Sequence, residues 1–146
     1  MLIENKKALW NYEILQNLNA GIELFGFEVK ALRSKQGSLL GAYVIVRGDE
    51  AFLVKATIPA YQPKNAPKSY DPERPRKLLL TKDEVRELAG LESKKGLTIV
   101  PLSVYNKGRK VKVEIGVARG KKQFDKRETL KRRDAEREMA RTLKDA

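Results

Sequence analysis

The chain has 146 residues, 41% of them hydrophobic, a size that buries one core without disulfides or a structural metal. Its 31 Lys and Arg against 19 Asp and Glu leave a net charge of +12 at pH 7, which draws polyanions, nucleic acid foremost. The absence of both Cys and His excludes a disulfide framework, the usual zinc modules, a thiol nucleophile and a Ser-His pair, so catalysis would have to rest on carboxylates, Lys, Tyr or a hard metal ion.

Met1 to Glu4 carry neither a myristoylation motif nor a signal peptide, and no apolar run reaches membrane-spanning length. The expectation is a cytoplasmic protein that works away from membranes, as a monomer and without a cofactor or metal.

Trp10, Tyr12 and Ile14 alternate with polar residues until the pattern slips at Leu15, which predicts a strand with a bulge; a short helix is the competing reading. Ile22, Phe25, Val29 and Leu32 then fall on one helical face, with Glu23 and Lys30 pointing away, and predict a helix over 20–34 that Gly37 closes. The β-rich runs 43–47 and 51–56 flank Gly48-Asp49 and predict a hairpin.

Five of the six prolines lie between Pro59 and Pro75, interleaved with Lys and Arg, and predict a long surface loop. Thr81 and Glu84 form a capping box ahead of Val85 and Leu88, so a helix of roughly ten residues follows, with Gly90 and Gly96 as candidate stops and 78–80 packed beneath. Runs 97–105 and 109–117 bracket Asn106-Lys107-Gly108, and Val111, Val113, Ile115 and Val117 alternate with Lys110, Lys112 and Glu114 in a second hairpin.

Beyond Gly120, ten Lys and Arg and six Asp and Glu surround almost isolated Leu130, Met139 and Leu143, so the segment builds no core. The fold expected is mainly β: an antiparallel barrel of oligonucleotide-binding type with two or three helices over 1–120, followed by a basic C-terminal tail over 121–146.

Lys107, Arg109, Lys110, Lys112, Arg119, Lys121 and Lys122, opposed only by Glu114, form the densest cationic stretch and predict a phosphate-tracking face, with a plain solvated surface as the alternative. Tyr61, Tyr70 and Phe124 sit among cations where a ring can stack on an unpaired base; the two tyrosines fit equally as caps folded back on the barrel. The tail has the spacing of a weak helix, suited either to folding on RNA or to a disordered solubility segment.

The motifs NKKA at 5–8, AGIEL and GFEVKALR over 20–33, RKLLL at 76–80 and IGVARGKKQFDKR over 115–127, in unbroken order, resemble the SsrA-binding (SmpB) family. That resemblance implies an oligonucleotide-binding barrel that grips the tRNA-like part of transfer-messenger RNA and accompanies it onto stalled ribosomes. It places Asn5, Leu78 and Lys112 on the RNA-facing side. Asn19, Lys30, Arg33 and Tyr61 complete the expected RNA-binding set. Family members often carry an acidic residue where this chain has Asn19, and sometimes a His where it has Phe124.

The resemblance also implies that Phe124, Asp125, Lys126 and Arg127 lead a tail, with Lys131, Arg132 and Arg133, that reaches the decoding centre and becomes helical along the empty messenger channel. Two rival functions fit parts of the pattern: a general RNA-binding barrel such as a ribosomal protein, and an RNA-processing enzyme holding a hard metal on Asp71, Glu73, Asp83 and Glu84.

Overall fold

A computed structural model describes residues 1–121. The expectations for Lys122, Phe124, Asp125, Lys126, Arg127, Lys131, Arg132 and Arg133, and for a tail helix, lie outside the described residues.

The elements run β1 (Ile3–Glu4), α1 (Lys6–Asn11), β2 (Tyr12–Ile22), α2 (Gly26–Arg33), β3 (Tyr43–Arg47), β4 (Glu50–Val54), β5 (Arg76–Leu79), α3 (Lys82–Glu92), β6 (Leu97–Lys107) and β7 (Lys110–Gly120). The seven strands form one sheet in the order β1-β6-β7-β2-β5-β4-β3, antiparallel at every pairing. It curls into a barrel, because β3 at one edge returns against β6, and α3 lies on both strands at that seam. Glu92 of α3 accepts the Val46 N–H at 2.7 Å and pairs with Arg47 at 3.1 Å, so a helix side chain covers part of the β3 edge.

The N-terminal pattern is resolved as both of its readings in succession. Asn5 caps α1, its Oδ1 accepting from the Ala8 N–H at 3.2 Å, and Trp10 belongs to that helix; the strand begins at Tyr12 and bulges between Ile14 and Gln16. The helix expected over 20–34 starts later. Ala20 and Gly21 pair with Val113 and Lys112 on one side, and Gly21 and Ile22 pair with Leu79 and Leu78 on the other, which keeps β2 extended until Ile22. The helical spacing of Ile22 from Phe25 is a coincidence of adjacent strand and helix. At the far end α2 stops at Arg33, before Gly37, with Lys35 at φ +60°.

The hairpin turn at Gly48-Asp49 and the Thr81–Glu84 capping box occur as expected, the latter through Thr81 N–H to Glu84 at 2.9 Å and Glu84 N–H to Thr81 at 3.2 Å. α3 continues through Gly90 to Glu92. In the last hairpin Lys107 faces Lys110, so the turn is Gly108-Arg109, with Gly108 at φ +62°, and Arg109 rather than Lys107 sits at its apex.

The barrel interior is filled by Ile22, Leu32, Val44, Leu53, Leu78, Leu88, Ile99, Val113, Ile115 and their neighbours. A smaller layer outside, Ala8, Val100, Leu102 and Ala118 with Tyr12 and Ile14, lies under α1. The middle of the β6–β7 hairpin is therefore covered on both faces, which accounts for the nearly unbroken apolar run 99–104.

The long segment between β4 and β5 is held by one buried carboxylate. Glu28 in the first turn of α2 has no solvent exposure and accepts from Arg74, Tyr70 and Arg76, the last through Nε at 2.9 Å and Nη2 at 2.7 Å. Arg76, equally buried, directs its other N–H groups to the carbonyls of Ala56, Pro72 and Arg74 and to the Tyr70 hydroxyl. Tyr70 stands edge-on to Phe27 at 4.8 Å, and Arg74 lies over the Phe25 ring at 4.2 Å.

Burial alone would raise the Glu28 carboxyl, but the hydrogen bonds from Arg74, the Phe25 N–H, Tyr70 and Arg76 outweigh it and hold the group below its ordinary value. Tyr70 is pushed up to about 12 by burial and by the adjoining Glu28 carboxylate. Of the two readings open for Tyr70, stacking on RNA or folding back on the barrel, the geometry fits the second: its hydroxyl lies within hydrogen-bond distance of Glu28 and the Ile58 carbonyl, and its ring packs against Phe27.

Candidate nucleic-acid interface

The cations of the last hairpin divide into two groups. Lys107, Arg109 and Lys110 are exposed at the turn, where Arg33 at the end of α2 donates Nη2 to the Arg109 carbonyl at 2.7 Å. That bond ties the hairpin tip to α2, which also carries the exposed Lys30. Lys112 follows on the outward face of β7, paired with Gly21 on one side and Tyr105 on the other.

Beside the tip runs an open groove of about 540 Å³ whose walls include Asn19, Leu78 and Lys112, residues far apart in sequence. Asn19 is exposed and its Oδ1 accepts from the Tyr105 hydroxyl at 2.8 Å. Leu78 is 2% exposed, so it contributes core packing and a groove wall rather than a projecting side chain. Asp49, Glu50 and Glu84 also border this groove, and Glu50 pairs with Lys77 at 3.1 Å, so its charge is mixed.

Arg119 and Lys121 form the second group, at the opposite end of β7, roughly 30 Å along the strand from the turn. By strand alternation Arg119 falls on the other side from Lys110 and Lys112, and it pairs with Glu13 at 2.5 Å. Lys121 donates Nζ to the Leu9 carbonyl at 2.9 Å and its backbone N–H to Asn11. One continuous phosphate-tracking face along the hairpin, as expected from sequence, is thus replaced by a cluster at the tip and a smaller one beside α1. The physical reason is that β7 spans the barrel from end to end.

Asn5 lies in the α1 region. It is 8% exposed and its Nδ2 donates to the Pro101 carbonyl at 2.8 Å and to Leu39 at 3.5 Å, joining α1 to β6 and to the segment before β3. Tyr61 is half-buried and packs on the core, with its N–H on the Phe27 carbonyl at 3.3 Å.

A family model described as SmpB protein matches residues 2–145. This chain belongs to the SmpB protein family. The SsrA-binding protein of Chloroflexus aggregans is 48% identical over 144 residues, 99% of this chain and 91% of that protein. Those of Mesoplasma florum and Burkholderia thailandensis are 49% and 46% identical, covering 96% and 99% of this chain and 94% and 98% of theirs. Among solved structures, a chain from "tmRNA-SmpB: a journey to the center of the bacterial ribosome" is 43% identical with a TM-score of 0.70, covering 83% of this chain and 85% of that one.

Family membership carries the barrel with added helices, and the geometry adds residues that the sequence pattern did not single out. Arg74 and Arg76 fall in or beside the stretch read as a basic surface loop and Glu28 enters only as part of the GFEVKALR motif, yet together they fix how α2 and the 55–75 segment meet. One signal was present: Glu28 falls at the third position after Phe25, on the apolar face with Val29 and Leu32, where an acid is costly unless paired.

Proposed function

We propose that this chain is an RNA-binding adaptor of trans-translation. Its barrel binds the tRNA-like domain of transfer-messenger RNA and accompanies that RNA to stalled ribosomes, acting in the cytoplasm by shape and charge without chemistry of its own. The observation that carries this is the gathering of Arg33, Lys107, Arg109, Lys110 and Lys112 around one end of the barrel, beside Asn19, in a chain alike from end to end to SsrA-binding proteins. Cations set on a rigid hairpin position phosphates, and a folded RNA surface is selected by where those cations stand.

In this reading residues 1–120 form the RNA-binding domain and residues 121–146 the tail. The tail residues Phe124 to Arg127, with Lys131, Arg132 and Arg133, test the decoding centre and the messenger channel for missing message, so that tagging and release begin only there. A cationic segment without a core folds where phosphate neutralises it.

The experiment is fluorescence anisotropy of labelled tRNA-like RNA against ordinary tRNA, across a salt series, with the full chain. Preferential, salt-sensitive binding to the tRNA-like RNA is the expected outcome. Equal affinity for both would overturn the adaptor reading and leave a general RNA binder.

A further inference from the structure

On the outer face of the barrel, beside α1, lies an open groove of about 340 Å³. Its apolar surface comes from Met1, Leu9, Ile14 and Leu102, of which Met1 and Leu9 are exposed. Gly116 in β7 makes the floor possible: a Cβ there would stand 3.0 Å from Ile14 Cγ2 and 3.1 Å from Leu102 Cδ1, so the bare backbone lets those two side chains close over the sheet.

Glu4 and Glu114 supply the charge of the groove, and Asn17 donates Nδ2 to Glu114 at 3.0 Å. Among the described residues that line it there is no Lys or Arg, in a chain whose net charge is +12. An apolar surface flanked by two acids fits a segment in which an apolar side chain is followed by cations.

The chain carries such a segment, and it leaves the barrel at this groove. Lys121 is fixed there by its Nζ on the Leu9 carbonyl and its backbone N–H on the Asn11 carbonyl, each at 2.9 Å, and Leu9 is one wall of the groove. Phe124 follows shortly after, and over 122–133 six Lys and Arg stand against Asp125 and Glu128 alone. At roughly 3.3 Å per extended residue, Phe124 reaches about 10 Å from Lys121. Glu114 lies four positions along β7 from Ala118, the partner of Ile14, which is about 13 Å of strand. Phe124 can therefore rest at the Ile14 end while the cations from Lys126 to Lys131 run back toward the acids.

We propose that in the free protein residues 122–133 dock in this groove, with Phe124 against Leu9, Ile14 and Leu102 and the cations that follow against Glu4 and Glu114. The inference concerns the chain before it meets RNA or ribosome and does not depend on the adaptor reading. A tether this short gives the segment a high effective concentration at the groove, so modest contacts suffice to hold it. A dense array of phosphates outcompetes two carboxylates, so the groove withholds these cations from weak polyanions and yields them to a strong one.

The test uses the full chain. Because the sequence has no Cys, Thr129→Cys carries a single nitroxide label, and its effect on backbone amide signals is read by NMR. The expected result is that the amides of Glu4, Ser103 and Glu114 lose most of their intensity, while those of Asp49 and Lys77, which do not line the groove, keep theirs. Phe124→Ala, which changes no residue of the barrel, and Glu4→Lys, at an exposed position, each restore the lost intensity.

No loss, loss spread evenly over the barrel, or loss that persists in both variants overturns the docking. A mixture of isotope-labelled protein without nitroxide and nitroxide-bearing protein without isotope tests the other occupant. Loss of the groove signals in that mixture would mean that the groove takes the segment of a second copy, and it too overturns docking within one chain.

Discussion

Glu28 and Arg76, 48 residues apart in sequence and both without solvent contact, meet through two hydrogen bonds from the guanidinium to one carboxylate oxygen. Every polar group of the pair is satisfied by Arg74, Tyr70 or backbone carbonyls, which makes a buried charge pair tolerable here. Its effect is to join α2, the end of β4 and the 55–75 segment in one arrangement.

Glu28→Gln should therefore destabilise the protein by about 3–5 kcal/mol, because it leaves Arg76 charged and buried without its counter-ion. Urea unfolding followed by circular dichroism checks this; a loss under about 1 kcal/mol would mean that the carbonyls of Ala56 and Pro72 suffice to hold the guanidinium.

The same network sets the pH window of stability. Glu28 is lowered from 4.5 in the fold, so the ionised form is favoured there; its contribution is fully present above that value and is lost as pH falls through the folded one. Tyr70 is raised from 10.0 to about 12, so its protonated form is favoured; its contribution is fully present below 10.0 and is lost as pH rises through about 12. Thermal unfolding across pH should show both flanks, and Glu28→Gln should move one phenolate titration back toward the ordinary tyrosine value.

The two cation groups should separate in a salt series. Arg109→Ala or Lys110→Ala should weaken RNA binding and reduce the logarithmic salt slope by about one for each phosphate that the side chain neutralises. Arg119, already paired with Glu13, should change the slope by much less when replaced by Ala. Equal slopes for all three variants would mean that RNA follows the whole length of β7.

Stopping the chain after Lys121 keeps every described strand and the Lys121 N–H bond to Asn11. Such a protein should keep its preference for tRNA-like RNA and lose the ability to start tagging on stalled ribosomes in reconstituted translation. Retained tagging would remove the tail from the mechanism.

The elements legible in the sequence are those whose signals are local: Gly48-Asp49 between two β-rich runs, Thr81 with Glu84, and the strict alternation from Val111 to Val117. α1 is legible only as a competing short-helix reading near Trp10, because six residues carry little periodicity, although Asn5 is a good capping residue. The sequence pattern extends the helix back over 20–22 because Ile22, the last residue of β2, lies three residues before Phe25, the spacing of a helical face. At the candidate site, the charges of the hairpin were evident, but their division between two ends of the barrel depends on the length of β7. Asn19, Leu78 and Lys112 share a groove only because β2 lies between β5 and β7.

The pairing of Tyr12 with Gly120 has a consequence for how the protein is made. β7 is the last described strand to leave a ribosome, yet it pairs along most of β2 on one side and β6 on the other. Until it is synthesised the nascent chain holds two long strands with unpaired edges, the kind of non-local closure that folds slowly and invites misassociation. A product cut short before β7 has no barrel to close.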